Sequence, residues 1–333
     1  MTNKKQIALF FGGRGYEHSV SVSGAKNLLS LIDRERYGVY TVFIEKSGKM
    51  RLTTPDLEVG EAVFPILDEG RGALLTESGE RLQIDCAFPL LHGDFGEDGT
   101  IQGLLASCSL PFVGSDTRAS AICLDKAATK ALAEALGIPT VPWRLLTGGD
   151  DYPDLEPPLF IKPTGLGSSV GASPAHSREE LIAAIRSAAS LGGGRVLAER
   201  LISPIRELEC AYFSAQGEQI VSYPGEILSG GFYSYERKYS TETAVTSARA
   251  DVSRELAERM REYTKRLCRV IGVRHLARVD FFLSGDALYL NEINTMPGMT
   301  ASSLYPRLLV GAGISPAEAI NRMISDAIAE GAL

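Results

Sequence analysis

Arg278, Asp280, Glu292 and Asn294 are the residues of this 333-residue chain whose types and spacing say most about chemistry. They lie within Leu276 to Asn294, two runs of alternating apolar and polar residues around Ser284-Gly-Asp-Ala287, the pattern of a β-hairpin. With the loop at Gly285 to Ala287, Asp280 faces Glu292 and Arg278 faces Asn294, and the two-residue period of a strand puts all four on one face. Opposed carboxylates repel across a ladder, so a cation between them is the natural occupant. Oxygen ligands from Asp, Glu and Asn suit magnesium, which keeps waters and completes its shell with phosphates. A solvated polar strand face is the alternative that these residues alone leave open.

A second group points to phosphate. Gly165-Leu-Gly-Ser-Ser-Val-Gly171 follows a strand that carries Lys162, and glycines let backbone N–H groups close around an anion while the lysine adds a point charge. The spacing is neither that of a GK[ST] phosphate loop nor that of a GxGxxG dinucleotide turn. Lys126 in a helix, Lys238 in a Tyr-rich loop, His92 at a strand end and Glu17-His-Ser19 before a helix each have a plain structural reading as well. Together they describe phosphoryl transfer by positioning and electrostatics, without a Cys or His nucleophile.

The elements that must hold these residues follow from apolar period and punctuation. Ile7 to Phe11, Tyr40 to Ile44 and Cys86 to Leu91 read as strands, with a helix after Gly12-Gly-Arg-Gly15, which predicts an α/β domain on an open, mostly parallel sheet. Ligands of such sheets lie beyond the carboxyl ends of the strands, so Gly12 to Glu17 and His92 to Gly99 should share a crevice. Ser115 or Asp116 caps one helix running through Lys126 and Lys130 to Leu136, and Trp143 to Pro158 reads as a linker. Leu159 to Lys162 and Val196 to Arg200 are strands flanking a helix with a capping box at Ser177 and Glu180. Pro224 to Thr243 reads as a long functional loop, and Ser253 to Ile271 as an amphipathic helix closed by Gly272.

Composition excludes other classes. Hydrophobic residues are 44% and charged residues 23% of the chain, as in folded globular proteins, and a net charge of −7 lacks the basic bias of a nucleic-acid binder. No apolar run is long enough to span a membrane and no signal peptide is recognisable, so a cytoplasmic address is expected. The five cysteines form no CxxC pair and read as buried free thiols.

The order of the motifs resembles the D-alanine:D-alanine ligases of the ATP-grasp superfamily over nearly the whole chain. The stretches that carry the resemblance are Phe11-Gly-Gly-Arg-Gly-Tyr-Glu-His-Ser-Val-Ser21, Leu91-His-Gly-Asp-Phe-Gly-Glu-Asp-Gly-Thr-Ile-Gln-Gly103, Lys162 to Gly171, Tyr235-Glu-Arg-Lys-Tyr239 and Asn291-Glu-Ile-Asn-Thr-Met-Pro-Gly-Met-Thr300. The resemblance implies a three-domain ATP-grasp fold, α+β in its ATP-binding part. Its divisions would be an N-terminal substrate domain over 1–122, a central subdomain over 123–211 and a C-terminal subdomain with the magnesium site over 212–333.

It also implies roles. Lys126, Lys162 and Ser169 would contact the ATP phosphates, with Lys238 closing over them. Glu199, Arg200 and Ile202 would form the adenine hinge, and Glu207 would hold the ribose. Asp280, Glu292 and Asn294 would hold two magnesium ions, or manganese in their place. Glu17 would orient the first D-alanine and form a link with Ser168 and Tyr239. His92 would bind substrate, Arg278 and the Gly298 N–H would stabilise an oxyanion, and Ser303 and Leu304 would seat the second amino acid. The expected reaction forms D-alanyl-D-alanine through a D-alanyl phosphate for cell-wall synthesis. D-alanine and ATP would be the substrates, and family members are often homodimers. Arg200 replaces the lysine frequent in the hinge, and Pro204-Ile-Arg206 adds a residue that leaves Glu207 and Glu209 both open as the ribose acid. The rivals are a D-alanine:D-serine ligase and a non-catalytic nucleotide-binding regulator.

Overall fold

The structure is a computed structural model and describes residues 4–54, 56–68, 70–147, 156–228 and 245–331. A first sheet of seven strands has the order β6-β5-β4-β3-β2-β1-β7. Its strands are β1 (Lys5–Gly12), β2 (Tyr37–Ile44), β3 (Met50–Thr53), β4 (Val59–Asp68), β5 (Arg71–Thr76), β6 (Arg81–Gln83) and β7 (Cys86–Pro89). Parallel pairing between strands of this sheet is confined to β2-β1-β7, and residues 50–83, between the expected second and third strands, add four antiparallel strands. The turn signals there are hairpin tips. Gly48 and Gly79 hold φ of 89° and 92° between paired strands, a conformation open to glycine at little cost. Alternate residues of β1 serve two cores: Ile7, Leu9 and Phe11 face helix α1 (His18–Leu31), while Ala8 and Phe10 face helix α2 (Thr100–Ser107).

The helix expected from Asp116 to Leu136 is two helices, α3 (Thr117–Leu124) and α4 (Lys126–Ala135). Asp116 caps the first through the Ala119 N–H, and Asp125 interrupts the run by accepting from Ala127 and Ala128 N–H, which places Lys126 at the first position of α4. A short aspartate side chain competes with the helical backbone in this way and starts a new helix. Next comes an antiparallel sheet in the order β10-β9-β11-β8, from β8 (Trp143–Thr147), β9 (Leu159–Pro163), β10 (Ser173–Ala175) and β11 (Arg195–Arg200). β8 lies within the segment read as a linker. Helix α5 (Arg178–Leu191) covers this sheet with Leu181, Ile185 and Ala188. At its start Ser177 accepts from the Glu180 N–H, and Glu180 accepts from the His176 N–H.

The third sheet runs β15-β14-β12-β16-β17, with β13 beside β12. Its strands are β12 (Arg206–Ala215), β13 (Glu218–Val221), β14 (Gly225–Leu228), β15 (Val245–Ser247), β16 (Leu276–Ser284) and β17 (Ala287–Asn294). β12 crosses the expected boundary at 211–212 and belongs to this sheet along its whole length. Helix α6 (Arg254–Ile271), capped by Ser253 and closed by left-handed Gly272, covers one face together with α3 and α4. Helices α7 (Leu304–Gly311) and α8 (Pro316–Glu330) cover the other. That second core also takes in β1 and α1, so the first and third sheets share one apolar interior. No helix among the described residues is long and apolar enough to cross a membrane.

Candidate active site

The β16–β17 hairpin is paired as the sequence predicts at the residues that matter, by a different route. The loop is two residues, Gly285 and Asp286, because Ser284 pairs with Ala287. A bulge between Asp280 and Phe281 then absorbs one residue opposite, Asn291, and restores Asp280 to Glu292 and Arg278 to Asn294. A bulge re-aims the extra side chain, and Asn291 Oδ1 accepts from Lys162 Nζ at 3.1 Å.

Two adjoining cavities meet at this hairpin, of about 460 and 860 Å³. Glu17, His92, Gly298, Ser303, Leu304 and Asn294 line the smaller. Lys162, Ser169, Glu199, Arg200, Ile202, Glu207 and Asp280 line the larger. Lys126, Ser168, Arg278 and Glu292 line both. Lys238 and Tyr239 lie outside the described residues.

In the smaller cavity Ser168 Oγ donates to Glu17 Oε1 at 2.6 Å, joining the loop after β1 to the Gly-rich loop after β9. Glycines on both sides admit the carboxylate: a Cβ at Gly93 would stand 3.1 Å from Glu17 Oε2, and one at Gly167 3.3 Å. His92 Nδ1 faces the Met296 carbonyl at 2.8 Å, and its buried Nε2 has no partner among the described residues. Glu97 accepts from the N–H groups of Gly93 and Met296, both at 2.8 Å, and so staples the loop after β7 to the loop after β17. Burial pushes its carboxyl up to about 7, despite those two bonds.

In the larger cavity Lys126 Nζ reaches the Leu166 carbonyl at 2.7 Å and Glu292 at 3.2 Å. Glu199 lies between two lysines, 2.7 Å from Lys162 and 2.5 Å from Lys130. Burial alone would raise Glu199, but the two lysines outweigh it and hold the carboxyl below the ordinary range, while burial lowers Lys162. The Glu199 carboxylate is thus engaged with two lysines. At the junction Arg278 grips Asp280 with Nε–Oδ1 2.8 Å and Nη2–Oδ2 2.7 Å, and Asn294 Nδ2 donates to Oδ2 at 3.1 Å. Burial would lower the Arg278 guanidinium, but Asp280 and Glu209 hold its pKa well above the ordinary value. The donor set of two carboxylates and an amide suits a hard divalent cation. No cluster of three Asp, Glu, His or Cys side chains forms a metal site among the described residues.

Models of two halves of one ligase family match the chain: D-ala D-ala ligase N-terminus over residues 6–115 and D-ala D-ala ligase C-terminus over 132–325. The chain belongs to the D-alanine–D-alanine ligase family. It is therefore an ATP-dependent ligase, and its fold is the ATP-grasp fold. The D-alanine–D-alanine ligase of Deinococcus radiodurans is 38% identical, covering 98% of this chain and 99% of that protein. That of Caldicellulosiruptor bescii is 37% identical, covering 98% and 95%. The D-alanine-D-alanine ligase from Coxiella burnetii has a solved structure with a TM-score of 0.87 at 29% identity, covering 99% of this chain and 95% of that one. The VanG D-Ala:D-Ser ligase of Enterococcus faecalis also scores 0.87 at 29% identity, covering 98% and 100%.

Sequence reasoning about this family member passed over three residues that the structure brings to the site. Lys130 stands four residues after Lys126, hence on the same face of α4, and that spacing was a usable signal. Glu97 sits inside the second motif, but while one of its backbone partners, Gly93, is four residues away, the other, Met296, is 199 residues away in the chain. Asn291 enters only through the bulge.

Proposed function

We propose that this ligase joins two molecules of D-alanine, using ATP and passing through a D-alanyl phosphate, as a step in peptidoglycan precursor synthesis. The observation that carries the reading is the Glu17–Ser168 bond beside Arg278, which sets an amino-acid-sized cavity against a nucleotide-sized one. In the larger cavity Lys126, Lys162 and the backbone of Ser169 meet phosphates, Arg200 and Ile202 meet the base, and Glu207 takes the ribose. Glu209 is less suited to the ribose, since it is 4% exposed and lies 3.3 Å from Arg278.

In the smaller cavity the Glu17 carboxylate accepts from the ammonium of the first D-alanine, whose own carboxylate attacks the terminal phosphorus of ATP as the bond to the bridging oxygen breaks and ADP leaves. Magnesium held by Asp280, Glu292 and Asn294 would neutralise phosphate charge during that transfer. The amine of the second D-alanine, seated against Ser303 and Leu304, then attacks the acyl carbon, and phosphate leaves. Arg278 and the Gly298 N–H stabilise the oxyanion that forms. His92, which lines the same cavity, helps to bind the substrate.

The test is product analysis by mass after incubation with ATP, magnesium and D-alanine alone. D-alanyl-D-alanine with one phosphate per dipeptide is expected, and Glu292→Ala should abolish it. If D-alanine alone yields nothing while D-serine added to it yields a mixed dipeptide, the assignment of the second site around Ser303 is wrong.

A further inference from the structure

Three carboxylates stand in register on neighbouring strands: Glu209 on β12 pairs with Asp280 on β16, which pairs with Glu292 on β17. Glu209 lines both cavities, yet its side chain is only 5% exposed. The Arg278 guanidinium reaches two of the three, forked onto both oxygens of Asp280 at 2.8 and 2.7 Å and standing 3.3 Å from Glu209 Oε1. Under the reading above, on which this inference rests, Asp280 is a cation ligand. Its oxygens already accept three hydrogen bonds, two from Arg278 and one from Asn294, of the about four that a carboxylate can take, so a divalent cation that takes both oxygens must compete with Arg278 for them. A displaced guanidinium with only 17% of its side chain exposed is poorly placed to be solvated in full, and a mostly buried charge stripped of its partner is strongly disfavoured.

We propose that Glu209 is a positioning residue that receives Arg278 when Asp280 turns to the cation, so that the guanidinium stays at the junction of the two cavities. The transfer is short, because Arg278 already lies between the two carboxylates. The planar fork of arginine suits it, since one donor edge can move to a second carboxylate while the group remains hydrogen-bonded. In Glu209→Gln the guanidinium keeps Asp280 as its one carboxylate ion pair among the described residues, and the cation must break that pair without Glu209 to receive it.

Manganese binding read by electron paramagnetic resonance tests this in the full chain, with ADP present and no turnover. Wild type is expected to bind Mn²⁺ with ADP, Glu209→Gln to need about tenfold more Mn²⁺, the loss of one charge-assisted bond, and Glu209→Asp to recover much of the affinity. ADP binding without metal should be the same in all three. Unchanged Mn²⁺ affinity in a folded Glu209→Gln overturns the proposal. So does the loss of one bound Mn²⁺ per chain, which would make Glu209 a ligand itself. If Glu209→Gln does not fold, Arg278→Lys replaces it: a lysine cannot fork onto Asp280, so Mn²⁺ should bind more tightly, and equal or weaker binding contradicts the exchange. Absence of Mn²⁺ binding in wild type, unaltered in Asp280→Asn, sinks the metal reading beneath it.

Discussion

Ser168 and Ser169 hold φ of 53° and 59°, a left-handed backbone that residues with a Cβ seldom adopt. Such conformations persist where the surroundings fix them, and here the turn aims Ser168 Oγ at Glu17. Ser168→Ala should lower kcat/KM for D-alanine by about 10- to 100-fold, the worth of a hydrogen bond to a charged group, with KM for ATP little changed in steady-state kinetics. Ser168→Gly relieves the backbone but also lacks the hydroxyl, so it should lose as much; full activity in that variant would remove the hydroxyl from the account. The residue types of this site were legible because motif and spacing named them. Burial was not legible, and it decides the positions of Glu97, Lys130 and Glu199: whether a lysine or a glutamate is solvated or locked in an ion pair depends on what packs over it.

At the scale of elements, the hairpin was readable from alternation and a Gly-Asp turn, and its facing pairs came out as expected. The bulge was not readable, since a shorter loop plus one extra residue gives the same pairs as a longer loop. The strands from β3 to β6 escaped notice because their hairpin tips are rich in the Gly and charged residues that also mark loops. The break between α3 and α4 matters for function, because Asp125 orients the helix that begins with Lys126. Its Oδ1 accepts from Ala127 and Ala128 N–H at 2.9 and 3.2 Å, and its Oδ2 from Arg195 at 2.8 Å. Asp125→Ala should cost about 1 kcal/mol in chemical denaturation and raise KM for ATP more than KM for D-alanine. Asp125→Ser, which keeps a cap, should recover most of the stability.

Across the whole molecule, His275 ties the segment before α3 to the third sheet and to α8. Its Nδ1 accepts from the Gly114 N–H at 2.8 Å, its backbone N–H donates to Ser214 Oγ at 3.0 Å, and its Nε2 faces Asp326 at 3.4 Å. Burial, with the nearby Arg274 charge, lowers its pKa to about 4 against the pull of Asp326. The neutral ring is therefore the folded form, and the unfolded chain binds the extra proton between pH 6.5 and 4. Stability from this group is complete above pH 6.5 and declines as pH falls through that window, by about 3 kcal/mol. His275→Asn keeps an acceptor and tolerates the φ of 61°, so the wild-type stability advantage over it should shrink with acid in urea titrations; a constant difference would refute the assignment. The central claim concerns the order of events across the two cavities: carboxylate onto phosphorus first, amine onto carbon second. D-alanine labelled with ¹⁸O in its carboxylate tests it most directly, through the mass of the phosphate released on turnover. The account predicts one ¹⁸O in each phosphate, carried over as the bridging oxygen of the acyl phosphate, and unlabelled phosphate alongside D-alanyl-D-alanine would contradict it.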